Sequence, residues 1–161
     1  MARLSMLFCL LLAGCASTSV MQYDSNTISL TTSAAPICGG AGAQQVAYQR
    51  AAIETINHGF DRFIIVGAAA QDNVRVVGTT PIQATTFGTA TGSVYGNSIY
   101  AQGQSNTYVT GGQPIVAGSH DQQLVVKMFK EGDPAGVDAI PARMVLGTDW
   151  ATLVKKPPQT C

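Results

Sequence analysis

The stretch that decides the fold is residues 50–66, "RAAIETINHGFDRFIIV", because one regular element ends inside it and another begins. Its alanine-rich first half continues a pattern that predicts a helix over residues 43–58, with Val46, Ile53 and Ile56 along one flank. Gly59 is suited to end that helix, since glycine readily adopts the left-handed conformation found there. The apolar run that follows, residues 60–66, predicts a strand packed against the helix.

Further strands are predicted on both sides of this unit. Residues 23–32 and 122–130 are rich in β-branched and apolar residues, and "NVRVVG" at residues 73–78 alternates after a short gap. We expect the intervening "GAAAQD" to turn the chain into a hairpin. Near the carboxyl end, "AIPARMVL" predicts a short helix that Asp138 caps and Gly147 ends.

The fold class expected from this order is α+β. It comprises a small antiparallel β-sheet packed by one main α-helix, with a short C-terminal helix beside it. After the first fourteen residues about 147 remain, which suits a single domain. We expect that domain to span residues 23–154, followed by an extended tail at residues 155–161.

Residues 79–119 differ from the rest of the chain because they contain no charged side chain. Thr, Gly, Ser, Gln, Asn and Tyr dominate this segment, and such polar β-formers with frequent glycines suit a flexible loop or a β-hairpin. Tyr95, Tyr100 and Tyr108 are rigid amphipathic groups that could form a binding surface for a partner, a glycan or a second copy. The simpler alternative is a solvated loop that binds nothing.

The amino terminus has the pattern of an exported protein. Arg3 precedes an apolar run of about ten residues, which is typical of a signal peptide and too short for a permanent transmembrane helix. Leu12-Ala13-Gly14-Cys15 resembles the lipobox of bacterial lipoproteins. The resemblance implies a signal peptide at residues 1–14, a diacylglycerol on Cys15, and a tether at residues 15–22. An ordinary signal peptide cleaved beside the same small residues is the alternative.

Two cysteines remain once Cys9 is removed with the leader and Cys15 carries lipid. Cys38 and Cys161 would then lie in an oxidising compartment, where a disulfide between them would close most of the chain into one loop. The alternative is a frayed Cys161 and a buried, unpaired Cys38.

The order of these pieces resembles the small Gram-negative envelope lipoproteins of unknown function labelled CC0125/CC1285-type. The resemblance rests on the lipobox, the helix-to-strand unit, the uncharged segment, "LVVKMFK" at residues 124–130 and "DAIPARMVL" at residues 138–146. It implies attachment to a membrane through lipid and no known activity. Ala16 in place of aspartate after the lipidated cysteine further implies the outer membrane in such lipoproteins.

Catalytic and cofactor chemistry finds little support in the residues. "CGGAGAQQ" lacks the GxGxxG spacing of a dinucleotide loop, and the adjacent Ser119, His120 and Asp121 point in alternating directions on an extended chain. The chain offers two histidines and few spare cysteines, so we expect neither a metal nor another cofactor. Nine basic residues balance nine acidic ones, which argues against nucleic-acid binding.

The function expected from these observations is that of a non-catalytic, lipid-anchored envelope protein facing the periplasm. It would serve a structural or accessory role by binding an envelope protein or a copy of itself. The alternative is a periplasmic ligand-binding or envelope-sensing module that holds its ligand on the tyrosine-rich segment.

Overall fold

The computed structural model describes residues 15–159 and residue 161, so the expected signal peptide at residues 1–14 lies outside the described residues. The chain forms a mixed α+β fold with antiparallel sheets, as its sequence predicts. In chain order the elements are β1 (Ala16–Asp24), β2 (Thr27–Ala34), α1 (Gly39–Asn57), β3 (Arg62–Asp72), β4 (Arg75–Thr79), β5 (Gln83–Tyr95), β6 (Ser98–Thr110), β7 (Pro114–Ala117), β8 (His120–Phe129), β9 (Ile140–Pro141), α2 (Ala142–Leu146) and α3 (Trp150–Lys155).

The described chain divides into two compact units instead of the single domain expected over residues 23–154. The main unit contains residues up to Val74 and residues 118–161, and the second unit, here called the arm, is Arg75–Ala117. The main unit holds a five-stranded sheet in the order β1-β2-β8-β3-β9. The arm holds two separate antiparallel pairs, β4 with β7 and β5 with β6.

Helix α1 packs against β2, β3 and β8 through small side chains that allow a close approach. Ala47, Ala51 and Ala52 are fully buried, and the ring of Tyr48 meets that of Phe63 edge-on with 5.7 Å between centroids. The largest fully buried side chains in this core include Phe63, Ile28, Leu30, Ile53, Met128 and Val126. Burial of such side chains is worth about 1.5–3 kcal/mol each, so this layer supplies most of the stability of the main unit.

The turn from helix to strand forms as residues 50–66 predict. Gly59 has φ +77°, and the Phe60 amide donates to the Thr55 carbonyl over 3.0 Å, which satisfies an orphan acceptor at the helix end. Arg50 and Glu54 form the i,i+4 ion pair with 3.4 Å between Nη2 and Oε1. The helix begins four residues earlier than predicted, at Gly39.

The hairpin turn expected at residues 67–72 is wrong, and the strand expected at residues 73–78 forms but lies in the arm. Residues 67–72, "GAAAQD", do not turn but continue β3, which pairs with β8 from Arg62↔Phe129 to Asp72↔His120. Residues 75–79 form β4 in the arm and pair with β7. The reason is that β8 offers ten residues of backbone partners, and this long-range pairing overrides the weak strand preference of alanine.

The expected tether is also wrong, because residues 16–24 form strand β1 along the edge of the sheet. The register runs from Ala16↔Ala34 to Asp24↔Thr27, and the expected strand at residues 23–32 is broken by a turn after Asp24. The side chains of Thr18 and Thr32 share a 2.9 Å hydrogen bond across this pair. Regular structure is therefore present from the residue directly after Cys15.

The carboxyl-terminal helix is shorter than predicted and is not capped by Asp138. Helix α2 spans Ala142–Leu146, with Pro141 at its N-cap and no side-chain hydrogen bond there. Ile140 and Pro141 instead pair with β3 as β9. Gly147, with φ +70°, ends α2 as expected, and α3 follows before the extended tail.

Candidate interaction surface

The arm carries a regular β-hairpin made from β5 and β6. Of the two structures expected for the uncharged segment, a flexible loop or a β-hairpin, the chain therefore forms the hairpin. Its register runs without a shift from Gln83↔Thr110 to Tyr95↔Ser98. A two-residue loop, Gly96-Asn97, joins the strands, and Gly96 has φ +57°. Glycine at the first loop position matches a type II′ turn, whose twist suits a hairpin.

One face of this hairpin, here called the aromatic face, gathers the three tyrosines that the sequence singles out. Successive side chains of a strand alternate between faces, and the register places Tyr95, Tyr100 and Tyr108 on the same side. Phe87 lies on this face too, with its ring centroid 6.4 Å from that of Tyr108 in an edge-on arrangement. The four rings are between 63% and 79% exposed.

The aromatic rings form two pairs with polar side chains between them. Tyr95 and Tyr100 lie near the turn, and Phe87 and Tyr108 lie toward the other end of the hairpin. A shallow depression between them is lined by Thr89, Thr91, Gln102, Gly103 and Gln104. The surface therefore offers rings for stacking and amide and hydroxyl groups for hydrogen bonds, and it carries no charge.

Phe87 is the residue of this surface that sequence reasoning missed. Its place on this surface could have been predicted from its spacing to the turn. Once Gly96-Asn97 is recognised as a two-residue loop, the register follows and places Phe87 on the same face as Tyr95. The tyrosines alone do not reveal that they share a face.

The opposite face of the hairpin, here called the small face, is built from small residues at its centre and carries Val94, Ile99 and Val109 toward its ends. Gly88, Ala90, Gly92, Ala101 and Gly103 occupy its centre. Thr86 and Thr107 lie opposite each other on it and share a 2.9 Å hydrogen bond between their hydroxyls. Every residue of β5 and β6 is exposed.

Ser119, His120 and Asp121 do not form a catalytic relay. Asp121 instead accepts hydrogen bonds from the Ser33 hydroxyl at 2.5 Å and from the Asn73 side-chain amide at 2.7 Å. His120 Nδ1 lies 3.4 Å from Asp72 Oδ1. These groups occupy the place where the chain leaves and re-enters the main unit, so their evident role is to hold the ends of β2, β3 and β8 together.

The same hydrogen bonds lower the pKa of Asp121. The bond from Ser33 contributes most, followed by one from Ser119, and both favour the ionised carboxylate. A carboxylate whose pKa is lower in the folded than in the unfolded chain stabilises the fold above the unfolded value, near 3.8. That contribution is lost as the pH falls through the folded value.

We therefore expect Asp121→Asn to cost stability at pH 6 and to cost less at pH 3, because below about 3.8 the unfolded chain binds the proton and the advantage of the ionised carboxylate in the fold shrinks. Melting temperatures of both proteins at the two pH values measure the effect. Asp138→Asn is a matched control on an exposed carboxylate of the same unit. An unchanged gap between wild type and Asp121→Asn at both pH values would contradict the assignment.

A disulfide joins Cys38 to Cys161, and this confirms the bridge weighed from the sequence. The two Cα atoms are 5.7 Å apart and the sequence separation is 123 residues. Gly42 makes room for the bridge, since a Cβ there would lie 3.2 Å from Cys38 Cβ and 3.3 Å from Cys161 Cβ. The bridge holds the carboxyl terminus against the start of α1.

The bridged tail lies beside Cys15, the expected lipidation site. The Ala16 amide donates to the Gln159 carbonyl over 2.7 Å, and the Ala35 amide donates to the Cys15 carbonyl over 3.0 Å. Cys15 is exposed. Both ends of the described chain therefore meet at one place on the main unit.

Residues 15–159 and residue 161 carry no sign of a membrane-spanning helix or of a metal site. Within them, no helix combines the length and apolar character needed to cross a bilayer. In the same residues, no three His, Cys, Asp or Glu side chains converge in the way that a metal site requires.

The chain was compared with known protein families, with curated proteins and with solved structures. None of the three comparisons found a match.

Proposed function

We propose that this chain is a lipid-anchored, non-catalytic protein of the bacterial envelope that presents its arm to a partner. The observation that carries the proposal is the aromatic face, where Phe87 and three tyrosines are exposed on one side of a regular hairpin without charge. Aromatic side chains contribute large contact areas at low conformational cost, which is why they are enriched at protein interfaces.

Anchoring is proposed because residues 12–15 resemble a lipobox, and the exposed position of Cys15 is compatible with an attached lipid. Several acyl chains at about 0.8 kcal/mol per buried CH₂ would hold a protein stably on a bilayer. Because β1 begins at Ala16, lipid on Cys15 would hold the main unit directly at the bilayer surface, facing the periplasm. The resemblance to the CC0125/CC1285-type lipoproteins, with Ala16 after the cysteine, favours the outer membrane.

A non-catalytic role is proposed because two of the residues that the sequence offers for catalysis take part in structural contacts. Asp121 is held by Ser33 and Asn73, and Cys38 is used in the disulfide. The arm contributes hydroxyls, amides and rings, which are groups suited to recognition.

The variant Tyr100→Ser/Tyr108→Ser tests the proposal on the full-length chain. We expect it to lose the partner proteins that wild type recovers after crosslinking in intact envelopes, because the rings supply the contact area. Both positions are exposed, so the melting temperature should stay the same. Val137→Ser/Met144→Ser is a matched control, since those two side chains are similarly exposed on the main unit. Recovery of abundant porins alone by wild type would contradict the proposal.

The depression between the two aromatic pairs favours a second candidate, binding of an uncharged ligand such as a glycan. Its lining of Thr89, Thr91, Gln102 and Gln104 supplies neutral hydrogen-bond donors and acceptors between rings that can stack on a sugar. Retention of wild type, and not of Tyr100→Ser/Tyr108→Ser, on purified envelope glycan would support it. Absence of retention for both proteins would reject it.

A further inference from the structure

The hairpin of the arm has two long strand edges without a partner among the described residues. β5 and β6 pair only with each other, so the backbone groups on the outer side of each strand face solvent. Each strand has thirteen residues, which at about 3.4 Å per residue gives an edge of about 44 Å. An edge of this kind is a template for another strand.

Other strand edges in the same chain carry features that block such pairing. In the main unit, β9 has only two residues, one of them Pro141, and β1 contains a register shift between Gln22 and Asp24. In the arm, β7 begins with Pro114 and its pairing with β4 also contains a shift. Short strands, proline and bulges are the usual protection of edges.

The edges of β5 and β6 have none of these protections. Residues 83–110 contain no proline and no charged side chain, and their pairing has no register shift. Lysine is the commonest guard of an exposed edge, yet the nearest charged residue before β5 is Arg75 and the first after β6 is Asp121.

We propose that the partner of these edges is the same strand edge of a second copy of this chain. Two identical uncharged hairpins meet without like-charge repulsion, and an antiparallel pair related by a two-fold axis matches each strand to itself. The aromatic faces of the two copies then lie on one side of a continuous four-stranded sheet. On the other side, the glycines and alanines at the centre of the small face leave that part of the surface flat.

The turn geometry identifies the backbone groups that form the contact. In a two-residue hairpin loop the flanking residues bond to each other, so Tyr95 and Ser98 direct their backbone groups inward. Alternate residues along each strand therefore direct theirs outward. Ala90 and Ala101 are among the outward residues and lie near the middle of β5 and β6.

This inference adds a second contact of the arm, separate from the one proposed for its aromatic face, and rests on the proposed function in one respect. Lipid anchoring would confine copies to one membrane plane, which raises their effective concentration and lets a modest edge contact hold. The pairing itself depends on the strand edges and not on the rings of the aromatic face.

Co-purification of two differently tagged full-length copies tests the inference. We expect one tag to recover the other from solubilised membranes, and Ala90→Pro/Ala101→Pro to reduce that recovery about tenfold, because proline removes an outward N–H from each edge. Val137→Ser/Met144→Ser, at two exposed positions of the main unit, should leave recovery intact. Absence of recovery for wild type, or equal recovery for the proline variant, would overturn the inference.

A second variant keeps the test valid if the prolines disturb the hairpin. Ala90→Lys/Ala101→Lys leaves every backbone N–H in place and adds like charges to the contact, so recovery should fall at low salt. Recovery should return at about 1 M salt, where the Debye length is about 3 Å and the added charges are screened from each other. Loss that salt does not relieve would count against edge pairing, and Val137→Lys/Met144→Lys on the main unit should change nothing.

The two proposals fail in distinguishable ways. If the chain is not anchored, the tagged copies will appear in the soluble fraction and still recover each other at high protein concentration. If the edges do not pair, the chain will remain in the membrane fraction and recovery between tags will be absent.

Discussion

Replacement of Cys38 and Cys161 by serine should lower the free energy of unfolding by up to about 5 kcal/mol. The bridge closes a loop with a sequence separation of 123 residues, and so long a loop restricts the unfolded chain strongly. The bridge also fixes the tail beside β1, where the Ala16 amide meets the Gln159 carbonyl. Native disulfides removed from small exported domains typically cost about 2–5 kcal/mol.

Urea unfolding of the oxidised wild type, the reduced wild type and the double serine variant measures this effect. The reduced wild type should match the variant, and a reducing agent should leave the variant unchanged. Unfolding midpoints that coincide for oxidised and reduced wild type would show that the bridge adds nothing to stability.

Replacement of Cys15 by alanine should move the protein out of the membrane fraction. The proposed anchor is a thioether to the Cys15 sulfur, and alanine offers no atom for that bond. The expected product is an uncleaved precursor or a soluble chain. Membrane fractionation at high salt and mass spectrometry of the amino-terminal peptide measure the outcome.

Cys9→Ala is the matched control for this prediction. Cys9 lies within the apolar run of the expected leader, where alanine preserves the character of the segment. It should leave processing and attachment unchanged. A Cys15→Ala protein that fractionates with membranes as wild type does would reject the lipid anchor.

The helix-to-strand unit could be predicted because its signals are local. The alanine-rich body, the stop at Gly59 and the apolar run after it act within a few residues of one another. The disulfide could be weighed from the number of cysteines, but the proximity of residues 123 positions apart could not be derived from local pattern.

Most of the errors concern strands whose pairing is not evident from residue type. β1 consists mostly of small and polar residues, so its sequence resembles that of a tether, and only its pairing with β2 makes it a strand. The alanines of residues 68–70 have only a weak preference for strands, but their pairing with β8 keeps them in β3. The hairpin of the arm was left open for the same reason, because its residues suit a loop until the register is known.

The sequence singles out the tyrosines of the candidate surface, but it does not reveal that they share one face of a hairpin. Residue type alone indicates which side chains can contact a partner. The shared face of Tyr95, Tyr100, Tyr108 and Phe87, and the unprotected edges beside it, depend on the register from Gln83↔Thr110 to Tyr95↔Ser98.

The central claim, that the arm is the part of this protein that contacts its partners, is tested most directly by photocrosslinking in intact envelopes. A photoreactive amino acid would replace Tyr100 in one full-length protein and Val137 in another, since both side chains are 70% exposed. We predict recurrent adducts of defined mass from position 100 and none above background from position 137. Equal adduct yields at the two positions, or none at position 100, would contradict the claim.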